Sequence, residues 1–395
     1  VMAYANQDNR IVFCIEQGVP RIKSGGRSFK TYKLGDSMLN KGIGYATWYV
    51  DSDAKASVSC ANRRMGGQIF THMIAYRANK GGSCSTCDLL SPNLTDARLN
   101  SRVKSMISTS SSNETAIASH VVQIRTLFNA HGKKLAFKSY NSSVALNKFD
   151  SCVHNDNDTY TCKKVLLETT GLLVKIQALS DSRFRYSVTD VTSGTTVSRS
   201  SNKITVTSVI PASKIDSAVK FSFTRTSLSN NSSIRKSIIG GNVQDMAYSY
   251  TPSEYKDKST VSLYADIEKT KINVKKTLST TGETLDGIDL YLYDDSACTV
   301  RSKNYQGQVF PAQKTAGGGL ATWDGIIKDE TSTYYVGENE SKEYEKLCVP
   351  VQTKEYSEPV EKISPTSTTA EYVNTVKNIP KGVGTVEIQK TNTYS

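Results

Sequence analysis

Lys276, Glu338 and an asparagine at 374 or 378 are residue types that can join two side chains by an amide bond. In Ile272-Asn273-Val274-Lys275-Lys276-Thr277, a period of two places Ile272, Val274 and Lys276 on one strand face, and the apolar members mark that face as buried. Tyr334-Tyr335-Val336-Gly337-Glu338 groups Tyr334, Val336 and Glu338 in the same way, and Tyr372, Asn374, Val376 and Asn378 share a parity. Burial lowers the pKa of a lysine and raises that of a carboxyl, since each resists carrying charge away from water. A neutral amine can then attack an Asn side-chain carbonyl while a protonated Glu bonds that carbonyl and relays protons as ammonia leaves. The product is an isopeptide between the first and last strands of the region. The plainer alternative has Lys276 at a strand end, snorkelling to water with Glu338 as a surface partner. Spacing leaves both readings open, and it also leaves Asn374 and Asn378 open.

The eight cysteines stand at 14, 60, 84, 87, 152, 162, 298 and 348. Cys152 and Cys162 flank the turn-rich His154-Asn155-Asp156-Asn157-Asp158, which predicts a hairpin whose strands a disulfide could bridge. Cys298 and Cys348 pair most simply with each other, and such bridges imply an extracellular setting. Cys84-Ser-Thr-Cys87 is a lone CxxC without the second half of a zinc site, so no metal is expected, and a disulfide among Cys60, Cys84 and Cys87 is the favoured reading. Cys14 lies in the apolar run Ile11-Val12-Phe13-Cys14-Ile15, where a core or disulfide role is the ordinary one. A hydrolase would pair Cys14 with His72, His120, His131 or His154, yet none of these four histidines sits in a catalytic signature.

The elements that must position these residues divide the 395-residue chain into a prior of about two to three domains. Residues 1–165 mix strand signals with helices, forming a mixed α/β head. One helix opens at Asn93-Leu94-Thr95-Asp96. A second runs from an Asn113 cap through Ile117, Val121, Ile124 and Phe128 to a stop at Gly132. Over 166–268 the helical period gives way to alternation at Phe184, Tyr186 and Val188, at Ile204 and Val206, at Phe221 and Phe223, and at Val261 and Leu263, predicting a β-sandwich. A third β module spans 269–384. Val386-Glu387-Ile388-Gln389-Lys390-Thr391 repeats the pattern of Ile272 to Thr277, so residues 385–395 read as the start of a further, truncated repeat. The fold class is therefore mainly β with a mixed α/β head, its β-sandwich modules in tandem as a stalk requires.

Several spaced motifs in order resemble the collagen-adhesin B-type (CnaB-like) repeat of Gram-positive surface proteins. They are Lys276-Thr277, then Gly282-Glu283-Thr284-Leu285-Asp286-Gly287-Ile288, then Gly319-Leu320-Ala321-Thr322-Trp323, then Tyr334-Tyr335-Val336-Gly337-Glu338. The resemblance implies an isopeptide between Lys276 and Asn374, with Glu338 as its catalyst and Asn378 as the alternative partner. Ser332-Thr333 stand where that family often has glycine. Phe13-Cys14-Ile15-Glu16-Gln17-Gly18 resembles the cysteine motif of the thioester domains that precede such repeats in adhesins. That likeness implies a glutamine whose side-chain carbonyl is taken by the Cys14 thiolate. His120-Val121-Val122-Gln123-Ile124 through Phe128 is similar to the glutamine motif and points to Gln123, with Gln68 and Gln177 in reserve. It departs at several positions from the commoner Thr-Gln-x-Ala-Ile-Trp form, and a solvated helix glutamine is the plain alternative.

The function these likenesses imply is an adhesin that attaches once, without enzymatic turnover or cofactor, to an amine of a host surface or extracellular-matrix protein. Its head would be monomeric on a stalk or pilus, extracellular and anchored to the cell wall or associated with a pilus. A noncovalent pilin or adhesin stalk without a thioester is the alternative. Lys+Arg of 49 against Asp+Glu of 37 gives +12, but the excess is spread in pairs such as Lys133-Lys134, so no nucleic-acid partner is expected. The start at Val1 without a leader, and the end at Tyr394-Ser395, read as those of a fragment of a longer chain whose signal has been removed.

Overall fold

The computed structural model describes residues 4–5, 11–15, 28–51, 58–79, 94–107, 110–155, 158–237, 245–267, 269–278, 282–295, 299–327, 334–338, 348–349, 359–360 and 371–380. The protein is mainly β, with helices gathered near its N-terminal end. Strands β1 (Tyr4–Ala5), β2 (Ile11–Cys14) and β3 (Lys30–Lys33) precede four helices: α1 (Met38–Asp51), α2 (Val58–Asn79), α3 (Asp96–Ser105) and α4 (Ser111–Asn129). β4 (Phe137–Ser139), β5 (Ser151–Asn155), β6 (Thr159–Glu168), α5 (Leu172–Gln177), β7 (Ser187–Thr189), β8 (Thr195–Ser200) and β9 (Lys203–Pro211) follow. β10 (Val219–Leu228), β11 (Ser233–Ser237), β12 (Met246–Thr251) and β13 (Glu254–Leu263) complete the head.

The division expected at residues 165 and 166 is not where the structure divides. β6 runs straight through it, and β12 and β11 return to pair with β2 and β3 in one sheet of order β1-β2-β12-β11-β3. One continuous core runs from Ile11 to Leu263, taking in α1, α2, α4 and the sheets β13-β10-β7 and β4-β6-β9-β8. The alternating residues Ile204, Val206, Phe221, Phe223, Val261 and Leu263 do face inward, but into a core shared with the helices rather than a separate sandwich. Phe184 ends a 3-10 turn and Val188 is exposed, so the alternation there does not extend as one strand.

α4 carries Ile117, Val121, Ile124 and Phe128 inward as the spacing predicts, but it starts after Ser110 rather than Asn113. Asn113 instead accepts a hydrogen bond from Asn62 on α2 at 3.0 Å. Thr95 caps α3 through its side chain, which accepts from the Arg98 amide. Neither α1 nor α2 was legible as a helix. Their glycines let them pack closely: a Cβ at Gly42 would lie 2.7 Å from Ile74, and one at Gly67 would lie 2.9 Å from the Phe13 ring. The hairpin at 152–162 forms as expected, with Cys152 opposite Cys162 in β5 and β6 and the two joined by a disulfide.

A second core begins with β14 (Lys269–Leu278) and joins two sheets built also from β15 (Asp289–Tyr293), β16 (Gln313–Lys314), β17 (Leu320–Ile327), β18 (Tyr334–Glu338), β19 (Cys348–Val349), β20 (Pro359–Val360) and β21 (Glu371–Pro380). One sheet has the order β17-β14-β21-β19 and the other β16-β15-β18-β20. Lys269 ties this module to the head, bonding Asp216 and the Tyr305 hydroxyl at 2.9 Å each. The expected repeat at 385–395 lies outside the described residues, as do Cys84, Cys87 and Cys298 and the side chains of Cys60 and Cys348, and with them the expected pairings. Among the described residues no helix is long and apolar enough to cross a membrane, and none of their His, Cys, Asp and Glu side chains group as a metal site.

Candidate functional site

β2 is apolar at every position, which buries it against α2, and Cys14 ends it with 6% of its surface exposed. Its backbone is held on the other side by β12, where Cys14 lies opposite Met246. Phe13 can press onto α2 only because residue 67 has no side chain, and the next residue, Gln68, is thereby brought to Cys14. The Gln68 carboxamide, fully buried, binds both main-chain groups of Cys14: Oε1 accepts from the Cys14 amide at 3.1 Å, and Nε2 donates to the Cys14 carbonyl at 2.6 Å. A buried primary amide would cost free energy if left unpaired, so this pairing fixes its orientation beside the cysteine. The Cys14 thiol is in no disulfide, and burial pushes its pKa up.

Gln123 is placed elsewhere. Its Oε1 accepts from the Tyr49 hydroxyl and from Ser180, both at 2.8 Å, and its Nε2 donates to Ser119 at 3.2 Å. Those bonds belong to a polar cluster in which Tyr49 also bonds His120 Nδ1 at 2.8 Å and lies under the Arg63 guanidinium. The glutamine that the structure sets against Cys14 is thus Gln68, one of the two reserves, while the other, Gln177, donates to the Tyr186 carbonyl. The local signal for Gln68 was Gly66-Gly67 just before it, a helical close-approach site that reads on sequence as a helix breaker.

Of the four histidines, His72 is the one near Cys14, with its ring within hydrogen-bonding reach of the Cys14 main chain. Burial drives its pKa down to about 4. A thiol pushed up and an imidazole pushed down are the reverse of the thiolate–imidazolium pair that a cysteine hydrolase maintains.

In the C-terminal module, Lys276 is completely buried on the strand that also carries Ile272 and Val274 into the core, as the period-two reading requires. Its backbone is pinned by Gly319, whose carbonyl accepts from the Lys276 amide at 2.7 Å. Gly319 has φ +79°, and a Cβ there would meet the Lys276 carbonyl oxygen at 2.4 Å, so the turn needs glycine. β14 and β21, the first and last strands, are parallel neighbours: Val274 lies opposite Asn374, Lys276 opposite Val376, and Leu278 opposite Asn378. Both asparagines are therefore two residues from the position facing Lys276. Glu338 lies opposite Leu290 in the other sheet, two residues beyond the buried Val336 that shares the core with Val274.

No family model and no curated protein matches the chain. Among solved structures it is similar to the Bacillus anthracis TIE protein, at 10% identity and a TM-score of 0.30, over 94% of this chain and 60% of that one. The group B streptococcus pilus 2b backbone protein is similar at 16% identity and a TM-score of 0.27, over 58% of this chain and 96% of that one. BcpA, the major pilin subunit of Bacillus cereus, is similar at 10% identity and a TM-score of 0.25, over 62% of this chain and 71% of that one. The chain spans about 60% of the length of the TIE protein it matches. At these scores the likenesses are partial.

Proposed function

We propose that this protein is a bacterial surface adhesin that attaches covalently to a host amine through a thioester between Cys14 and Gln68. The observation that carries this reading is the Gln68 carboxamide, buried and bonded to both main-chain groups of the cysteine. Attack of Cys14 Sγ on the Gln68 Cδ forms the C–S bond, breaks the C–N bond and releases ammonia. A lysine amine of a host surface or matrix protein then displaces the sulfur, leaving an amide between the two proteins. The event happens once per molecule, so the protein is a covalent binder and not an enzyme. The depth of the site suits it, because a thioester kept from water persists until an amine reaches it.

The C-terminal module is the stalk segment of this reading. Its buried Lys276, on a strand parallel to and beside the one bearing Asn374 and Asn378, would close an isopeptide with one of them, Glu338 acting as the proton relay. Such a bond ties first strand to last and lets the module bear load. The Cys152–Cys162 disulfide accords with a location outside the cytoplasm, on the cell wall or a pilus.

Intact-protein mass spectrometry tests both bonds. The wild type should weigh less than its sequence by two ammonia losses beyond its disulfide hydrogens, with Cys14→Ala restoring one and Lys276→Ala the other. Methylamine should add at the Cys14-dependent site. A wild type without the Cys14-dependent loss overturns the covalent reading and leaves a noncovalent stalk protein.

A further inference from the structure

Gln68 and His72 are four residues apart on α2, so their side chains lie one above the other on a single helix face. That face is the one turned to Cys14: Gln68 bonds its main chain, and the His72 ring reaches it as well. His72 Nε2 is buried and has no hydrogen-bond partner among the described residues. A buried ring nitrogen without a partner is uncommon in a native fold and calls for an explanation. Tyr45 and Tyr49, on the neighbouring helix, instead take up His131 and His120.

We propose that His72 is the proton carrier for the chemistry at Cys14. The inference rests on the thioester reading above. In bond formation, the imidazole nitrogen accepts the thiol proton as Sγ attacks Gln68 Cδ, and the resulting imidazolium returns that proton to the nitrogen that leaves as ammonia. In attachment, the same nitrogen accepts a proton from the attacking amine as its nitrogen bonds Cδ, and delivers it to Sγ as the C–S bond breaks. Protons, electron pairs and leaving groups balance in each direction, and no further reactant is required.

The electrostatics of the pocket fit such a role. An imidazole held at about 4 is neutral at physiological pH and has its lone pair available, while burial keeps the thiol protonated until a base takes the proton. No resting ion pair stabilises the ground state, so the proton moves only as the C–S bond forms or breaks. This suits a bond that forms once and waits.

The test follows methylamine uptake by intact mass in the wild type, His72→Asn and His72→Gln, with thermal unfolding of each. Asn keeps a donor near the ring position closest to the backbone but has no nitrogen that can accept a proton. His72→Asn should take up methylamine about 10²-fold more slowly or more, at an unchanged unfolding midpoint, and should lose the solvent deuterium isotope effect of the wild type. If it forms no thioester at all while remaining folded, the formation step has been blocked, as the proposal also expects. His72→Gln, longer by one methylene, supplies the same comparison should the Asn variant be unstable. A wild type that takes up methylamine beside a folded His72 variant reacting at the same rate overturns the role of His72 and leaves the thioester intact. A wild type that neither loses ammonia nor takes up methylamine removes both.

Discussion

The head and the C-terminal module bring a strand that carries a buried nucleophile to its neighbour in opposite ways. In the head, strand meets helix: Cys14 ends β2, Gln68 comes from α2, and hydrogen bonds from the amide to the cysteine backbone fix the meeting. In the module, strand meets strand, and the register of β14 against β21 does the positioning. The nucleophiles differ in depth too. Lys276 is completely buried, whereas Cys14 sits at the end of its strand with a little of its surface still open. On the proposed function, a permanent isopeptide would suit the first setting and an exchangeable thioester the second. On that reading one architectural device, a strand bearing a buried nucleophile, would serve stability in one region and reactivity in the other.

The largest effect expected is on the head. Gln68→Ala should abolish the Cys14-dependent ammonia loss completely, whereas Gln123→Ala should retain it, because Gln123 is engaged with Tyr49, Ser119 and Ser180. Mass spectrometry of the two variants decides between them, and the reverse result would return the thioester assignment to Gln123. Next is the module. Lys276→Met keeps an apolar side chain of similar length in the core but removes the amine. By the loop-closure argument used for cross-links, opening a loop of roughly 100 residues should cost about 4–5 kcal/mol. Denaturant unfolding of the module should show that loss, and an unchanged midpoint would mean that no bond forms there.

The two sites were legible to different degrees, for a physical reason. A strand announces its buried face with a period of two, so Ile272 and Val274 put Lys276 on the inward face while leaving open whether it snorkels to water at the strand end, and the structure buries it completely. β2 was equally plain. The partner helix was not, because α1 and α2 carry glycines and aromatic or β-branched residues that count against a helix when read locally. Tertiary packing overrides that bias: Gly42 and Gly67 stand where Ile74 and Phe13 press against the helix backbone. The period of α4 is strong and supports the resemblance of His120-Val121-Val122-Gln123-Ile124 to the glutamine motif, whereas Gln68 lies on a helix that no such period marks. The head boundary near residue 165 failed for a related reason, since sequence alternation cannot reveal that β11 and β12 return to the N-terminal sheet.

Gly67→Ala sharpens the comparison at smaller cost. Its Cβ would fall 2.8 Å from Val50 and 2.9 Å from the Phe13 ring, so β2 must move away from α2. The expected loss is about 1–3 kcal/mol, as for other overpacked cores. The ammonia loss at Cys14 should become slow or incomplete, since the carboxamide no longer meets the cysteine backbone. A variant that is destabilised yet forms its thioester at the wild-type rate would show that the close approach serves packing only.

The smallest effect is a pH dependence confined to one region. All four histidines precede residue 155, so the head alone carries them. Burial holds His72 and His120 down to about 4 in the folded head, below the ordinary value near 6.5. A group whose folded pKa is depressed in this way binds its proton more readily in the unfolded chain. Its contribution to stability is fully present above about 6.5 and is lost as pH falls from there toward about 4. The unfolding midpoint of the head should therefore decline across that window, while the module, which has no histidine, holds its midpoint until its carboxylates begin to titrate. Differential scanning calorimetry at pH 7.5, 6 and 5, chosen as approximate points around that window, would resolve the two transitions. If both fall together, the buried imidazoles are not the cause. If only the head falls and His120→Gln removes part of the slope, the remainder belongs to His72 and His131, the latter also lowered by burial.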